Sequence, residues 1–313
     1  MVNRHRQRSG AWGVLLAGGD GTRLQSLTTR IEGDSRPKQF CRILGGESLL
    51  GQTRRRICPL FHGDRTLAVV TRKHESFYAR ELGDLRETAI VAQPENLGTG
   101  IAIAATILTV LERDADAIVA FFPCDHHYTD ESAFLNVVEA GIVTARNNPE
   151  TIVLLGAEPT SPETEYGWIE PVRALTNGAC LAPARVHQFW EKPTLATAQR
   201  LMRRGCLWNT FVTIGRAGAF VDMLHTSAPN VMLTLSTGIK ARDLDLSYRT
   251  LPRLDFSRDV LASQPKRLLV IRDAISGWTD LGTPSRVFDT LSRQGTAPNW
   301  LESIHSTGIL AAG

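Results

Sequence analysis

The sequence predicts an α/β fold built on a doubly wound, mainly parallel, Rossmann-like sheet, and three observations predict it. Four short apolar runs, GVLLAG, TLAVVT, TAIVAQ and AIVAFFP, alternate with stretches of helical period. The runs are continuous in Val, Ile, Leu and Phe rather than alternating with polar residues, which is the pattern of strands covered on both faces. Three of the runs lead directly into unusual polar strings, AGGDGTR, QPENLGTG and PCDHHYTD. These strings would lie beyond the carboxyl ends of the strands, where open α/β sheets hold ligands.

The elements follow in order. Between the runs, Leu49 to Pro59, Glu75 to Leu82 and Thr99 to Glu112 carry helical patterns and supply right-handed crossovers. Glu131 to Arg146 and Thr194 to Arg204 are amphipathic, with Asp130 and Thr194 placed as N-caps and Gly205 as a C-terminal stop. The segment from Gly156 to Pro193 contains Pro159, Pro162, Pro171 and Pro183. It reads as strands and loops laid over the sheet, suited to a substrate lid. No internal repeat is evident.

A chain of 313 residues with 42% hydrophobic residues can bury one large core or two modest ones. No apolar run reaches the roughly 20 residues needed to span a bilayer, and the basic start MVNRHRQRSG leads into no signal-type segment. A cytoplasmic protein is expected. The five cysteines, Cys41, Cys58, Cys124, Cys180 and Cys206, are scattered with no CxxC pair, so buried thiols are expected rather than disulfides or zinc. A net charge of +3 without a long basic block argues against nucleic acid. Only five of the 35 basic residues are lysines, and two of those, Lys38 and Lys192, fall in the Pro-flanked strings RPKQF and EKP. A compact ammonium is the group to expect there.

In LAGGDGTRL, Leu16 to Leu24, the residues Gly18, Gly19 and Gly21 can turn their amides inward and let an anion approach the backbone. Two standard loops fail. Gly21-Thr22-Arg23 stands where a Walker loop needs GKS or GKT, and Leu24 stands where a GxGxxG begun at Gly19 needs its last glycine.

LAGGDGTRL followed by RPKQF, Arg36 to Phe40, resembles the sugar-phosphate nucleotidyltransferases, and PKQF is most similar to the mannose-1-phosphate guanylyltransferases. QPENLGTGIAIA (93–104), FFPCDHH (121–127), EYGWIEP (165–171), FWEKP (189–193), WNTF (208–211) and GWTDLGT (277–283) have counterparts there in the same order. The resemblance covers roughly residues 11–290 and implies a nucleotidyltransferase-type fold with an inserted β-rich sugar-binding region. It divides the chain into a disordered basic arm (1–10), a catalytic domain (11–290) and a short carboxyl-terminal tail (291–313). The added β-helix or isomerase domain of some relatives is not expected.

The resemblance implies joining of a nucleoside triphosphate, GTP by preference, to a hexose 1-phosphate such as mannose 1-phosphate, with release of pyrophosphate. Gly18, Gly19, Gly21 and Thr22 would cradle the nucleotide, Arg23 would grip its phosphates, and Lys38 would bridge the reacting phosphates. Gln93, Gly98 and Thr99 would line the base pocket, with Leu97 standing where guanylyltransferases often carry arginine. Gly167, Glu191, Lys192 and Asn209 would bind the sugar phosphate. Asp125 and Asp280 would hold Mg2+, since a hard cation accepts one or two carboxylates plus phosphate oxygens. WNTF departs from the commoner WNSG, with Thr210 and Phe211 where Ser and Gly are usual. An Asp-His-His phosphoesterase metal cluster is the rival reading of PCDHHYTD. It needs further Asp/His clusters upstream, and none is evident, so His126 and His127 are expected to be loop or packing residues. The partners expected are the two small-molecule substrates, with no nucleic acid and no membrane, and a homodimer is left open. Two alternatives stay beside the GTP reading: a uridylyl- or thymidylyltransferase acting on a glucose-type sugar, and a catalytically silent sensor of nucleotide sugars.

Overall fold

The computed structural model describes residues 10–61, 63–173 and 181–301. The expected disordered arm, apart from Gly10, lies outside the described residues, as do Cys180 and the end of the tail.

In chain order the elements are β1 (Trp12–Leu16), α1 (Gln25–Glu32), α2 (Leu49–Ile57), β2 (Thr66–Thr71), α3 (Glu75–Tyr78), β3 (Ile90–Gln93), α4 (Thr99–Leu111), β4 (Ile118–Pro123), β5 (His127–Tyr128) and α5 (Glu131–Asn147). There follow β6 (Ile152–Ala157), β7 (Gly167–Pro171), β8 (Ala184–Glu191), α6 (Leu195–Arg203), β9 (Leu207–Arg216), α7 (Ala217–Ser227), α8 (Pro229–Ala241) and α9 (Leu244–Tyr248). After a π-helical turn at Phe256–Leu261 come β10 (Leu268–Asp273), β11 (Trp278–Thr279) and α10 (Pro284–Gln294).

A nine-stranded sheet runs β3-β2-β1-β4-β9-β6-β10-β8-β7. The first four apolar runs form its parallel block β3-β2-β1-β4, as their continuous hydrophobicity requires. Successive residues feed opposite cores: Val14 and Phe121 pack with α4, α7 and α8, whereas Leu15 and Phe122 pack with Phe134 and Val138 of α5. α4 is apolar nearly all round because it lies between the sheet and the pair α7 and α8.

The other half of the sheet is mixed. β9 enters antiparallel between β4 and β6, and only the pairing of β10 with β6 is parallel there. The Gly156 to Pro193 segment is not laid over the sheet: β7 and β8 form a hairpin hydrogen-bonded to β10 and β9. Its Trp168 and Phe189 are buried, and adding strands to a sheet satisfies their backbone groups where a covering layer would not. α3 is also a single turn, shorter than the Glu75 to Leu82 pattern, the chain continuing through bonds such as Leu82 N to Tyr78 O. Cys58 is exposed, unlike Cys41, Cys124 and Cys206. Among the described residues no helix is long and apolar enough to cross a membrane.

α5 starts where Asp130 Oδ1 accepts from the Ala133 N–H at 2.9 Å, while the Asp130 N–H donates to Ser276 O. Asp130→Ala should cost about 1 kcal/mol of stability in urea denaturation, and Asp130→Ser should recover most of it.

Candidate active site

Asp125 and Asp280 are far apart in sequence and meet because β5 and β11 pair as a separate two-stranded ribbon, Thr279 opposite His127 and Trp278 opposite Tyr128. Asp125 stands just before β5 and Asp280 directly after β11, so the pairing sets them at the same end of the ribbon. Between them sits Lys38, on the 3-10 turn that Pro37 initiates, only 6% exposed. Its Nζ lies 3.1 Å from Asp125 Oδ2 and donates to the Asp280 carbonyl at 2.5 Å. Burial pushes the Asp125 carboxyl up, but the Lys38 ammonium and His126 outweigh it and hold it below the ordinary range. The Asp280 carboxylate, also lowered against burial, accepts from the Tyr166 hydroxyl (2.6 Å), its neighbour Gly282 N–H (2.9 Å) and Arg286 Nη1 (3.0 Å).

The glycines of the first loop have distinct jobs. A Cβ on Gly21, at φ 62°, would stand 2.8 Å from Lys38 N, so this glycine lets the loop close on the lysine turn. A Cβ on Gly18 would stand 2.8 Å from Gln93 Nε2, whereas Gly19 faces open space. Gln39 holds the loop by donating from Nε2 to Ala17 O and Gly19 O, and Asp20 is tied to Lys73 Nζ at 2.6 Å and Asn96 Nδ2 at 3.3 Å. Thr22 and Arg23 open the following turn and are exposed, Arg23 Nη1 lying 3.7 Å from Glu165.

Gln93 ends β3 almost fully buried, with Oε1 accepting from the Tyr248 hydroxyl at 3.1 Å. Gly98 and Thr99 start α4 against Leu254 and Phe256: a Cβ on Gly98 would lie 2.5 Å from Leu254 O, and Thr99 Oγ1 accepts from Phe256 N–H at 3.0 Å. Gly98 therefore serves this packing.

A Cβ on Gly167 would lie 2.9 Å from Phe189, 3.0 Å from Glu191 Oε2 and 3.3 Å from Asn209 Cβ. Its missing side chain is what lets Glu191 and Asn209 converge. Asn209 Oδ1 accepts from Phe211 N–H at 3.1 Å. Burial, then the Asp255 carboxylate, pushes the Glu191 carboxyl up to about 7, against the lowering by Lys192 and Arg258. Lys192 is exposed, and its N–H donates to Tyr166 O at 3.3 Å.

Three non-glycine residues with left-handed backbone cluster here: Lys192 (φ 45°), Phe211 (φ 62°) and Leu281 (φ 49°). Such strain gathers at functional sites. A cleft of about 180 Å3 brings together Arg23, Thr99, Gly167, Glu191, Asn209 and Asp280. A larger groove of about 820 Å3, beside Arg54, Phe77 and Arg80, holds none of the candidate site residues.

The same cleft is lined by residues the sequence reading did not assign: Tyr166, Phe211, Asp255, Ser257 and Trp278. Tyr166, Phe211 and Trp278 fall inside the strings EYGWIEP, WNTF and GWTDLGT without a role read for them, whereas no string marks Asp255 or Ser257. His126 also reaches it, its Nδ1 accepting from Trp278 Nε1–H at 3.2 Å and its Nε2 lying 3.6 Å from Asp125 Oδ1. His127 points elsewhere, to Gln294 at 2.8 Å, and burial and Arg56 depress it to about 4. Among the described residues no group of three or more His, Cys, Asp or Glu side chains is placed to hold a metal, so the Asp-His-His string makes no such cluster.

The chain matches the family described as nucleotidyl transferase over residues 12–294. It is 29% identical over 296 residues to the xanthan biosynthesis protein XanB of Xanthomonas campestris pv. campestris (strain B100), covering 90% of this chain and 60% of that protein. It is 28% identical over 289 residues to a mannose-1-phosphate guanylyltransferase of Salmonella montevideo, covering 88% and 59% respectively. The chain thus spans about 60% of the length of these curated relatives. Among solved structures, the mannose-1-phosphate geranyltransferase from Thermus thermophilus superposes with a TM-score of 0.78 at 28% identity, covering 90% of this chain and 79% of that one. A UDP-glucose pyrophosphorylase complexed with UDP-glucose shares the fold at 16% identity, with a TM-score of 0.57 over 91% and 98% of the two chains.

Tyr166→Phe removes one of the charged hydrogen bonds on Asp280 while Arg286 keeps the carboxylate paired. It should lower stability by about 1.5–3 kcal/mol in a denaturant titration, without unfolding the chain.

Proposed function

Because the chain belongs to the nucleotidyl transferase family, we propose that it transfers the nucleotidyl group of GTP to mannose 1-phosphate, giving GDP-mannose and pyrophosphate. The observation that carries this reading is the pairing around Lys38: a buried ammonium held by the Asp125 carboxylate and the Asp280 carbonyl and closed on by Gly21 of the glycine loop, with Asp280 lining the same cleft as Glu191 and Asn209. The curated relatives named for mannose 1-phosphate support the choice of sugar and base.

The nucleophile is a phosphate oxygen of the sugar 1-phosphate. It forms a bond to the α-phosphorus of the triphosphate as the bond to the β-phosphate bridging oxygen breaks, and pyrophosphate carries away that electron pair. An anionic nucleophile needs no strong general base; it needs to be held in line against a second anion. Gly19, open above the loop, offers its backbone to the triphosphate, and Arg23 swings on an exposed stem toward it. Lys38 supplies a compact charge between the two phosphates, preorganised because its other contacts already fix it. Glu191 and Asn209 take the sugar hydroxyls, and Lys192 meets the sugar's phosphate.

The residues fit a hard divalent cation, Mg2+ in this reading. Asp125 is an ionised, partly exposed carboxylate, and Asp280 Oδ2 accepts, among the described residues, a long 3.3 Å hydrogen bond from Arg286. Those two carboxylates would hold the ion, which when bound would neutralise charge on the phosphates. The reading includes a cytoplasmic setting, where nucleoside triphosphates are available.

Pyrophosphate release should be measured with mannose 1-phosphate and glucose 1-phosphate, each against GTP, UTP, dTTP, ATP and CTP, with Mg2+ and with a chelator. GTP with mannose 1-phosphate should dominate, and the chelator should stop it. Another dominant pair would replace the base and sugar assignment, and silence in every pair with nucleotide sugar still bound would favour the sensor.

Glu191 is protonated below about 7 and charged above it. A carboxylate accepts hydroxyl hydrogen bonds more strongly than a neutral carboxyl. KM for the sugar phosphate should therefore fall about tenfold as pH rises through that value, and Glu191→Gln should flatten this limb while leaving the titration of the substrate's own phosphate.

A further inference from the structure

We propose that Phe211 sets the size of the glycosyl group this chain accepts, closing the sugar end of the cleft so that an unsubstituted hexose 1-phosphate enters and a sugar enlarged by an acyl-amino substituent does not. The proposal rests on the nucleotidyl-transfer reading of the same cleft and goes beyond it to the class of sugar.

Where β9 passes β6, the register jumps from Leu154 opposite Thr213 to Gly156 opposite Asn209. β9 thus spends four residues where β6 spends two, and the surplus bulges out of the ladder between Asn209 and Thr213. Phe211 is at the crest of the bulge with φ 62°. That backbone suits glycine, and a phenylalanine there is strained.

The strain is imposed from all sides. Asn209 Oδ1 accepts from Phe211 N–H at 3.1 Å, and Thr213 Oγ1 donates to Phe211 O at 2.9 Å. Thr210, fully buried, donates from Oγ1 to Leu155 O at 2.8 Å and accepts from Val212 N–H at 3.3 Å. The bulge is therefore held independently of the ring that it carries.

The ring is half-buried, packed on the core at one side and lining the cleft at the other. Gly167, Glu191, Asn209 and Asp255 line the same cleft. The aromatic face offers a sugar ring an apolar wall while Glu191 and Asn209 take its hydroxyls. A glycine at this crest would keep the same hydrogen bonds, relieve the backbone and leave the wall open. Phenylalanine keeps a strained backbone and closes it.

The test compares kcat/KM for glucose 1-phosphate, mannose 1-phosphate and N-acetylglucosamine 1-phosphate in the full chain and in Phe211→Gly and Phe211→Ala. The wild-type chain should disfavour the acetamido sugar by at least about tenfold against the better hexose. Both variants should reduce that preference by about tenfold, chiefly through KM of the acetamido sugar, because both remove the ring. Wild-type acceptance of the acetamido sugar on a par with the hexoses would overturn the proposal without any variant. An unchanged preference in both variants, or a change in Phe211→Gly alone, would also overturn it, the latter assigning the effect to backbone strain. Turnover absent for all three sugars with every nucleoside triphosphate would remove the nucleotidyl-transfer reading itself, an outcome distinct from active enzyme with an unaltered sugar preference.

Discussion

One buried ammonium organises this site. A lysine nearly out of water is costly unless its charge is paired, and Lys38 is paired with the Asp125 carboxylate and the Asp280 carbonyl. Satisfying it draws three distant parts of the chain together: the turn after Pro37, the end of β4 and the segment after β11. The β5 and β11 ribbon brings two of these into register, and Tyr166 and Arg286 hold the Asp280 side chain in place.

Close backbone approach is the second constraint. Gly21 touches the lysine turn, Gly18 touches Gln93, and Gly167 makes room for Glu191 and Asn209. In each case the absent side chain brings protein groups together, and the ligand-facing surface follows from that closure. Gly19 differs, since only open space faces its missing Cβ. The GGDG string therefore mixes architecture with binding, which a motif read as a unit conceals.

Backbone strain falls beside the same groups. Lys192, Phe211 and Leu281 adopt left-handed conformations next to Glu191, Asn209 and Asp280, at the ends or bulges of strands. Such strain persists where rigid neighbours over-determine it, and it gathers at binding sites. Arg242, the other non-glycine residue with this backbone among the described residues, merely closes α8.

Continuous apolar runs by themselves determined the parallel block β3-β2-β1-β4, because a strand buried on both faces cannot tolerate alternation, and the caps Asp130 and Thr194 determined where α5 and α6 begin. Of the residues in the ordered strings, Glu191, Asn209 and Asp280 line one cleft, and Lys38 joins the Asp280 carbonyl to Asp125. Only the tertiary structure decided that β7 and β8 extend the sheet, that Gln93 is sealed by Tyr248, that Gly98 serves Leu254, and that Tyr166, Phe211, Asp255 and Trp278 share the cleft. The physical reason is range. Hydrophobic period and capping are written in neighbouring residues, whereas strand insertion, antiparallel order and the convergence of single side chains depend on contacts between segments that no local pattern encodes.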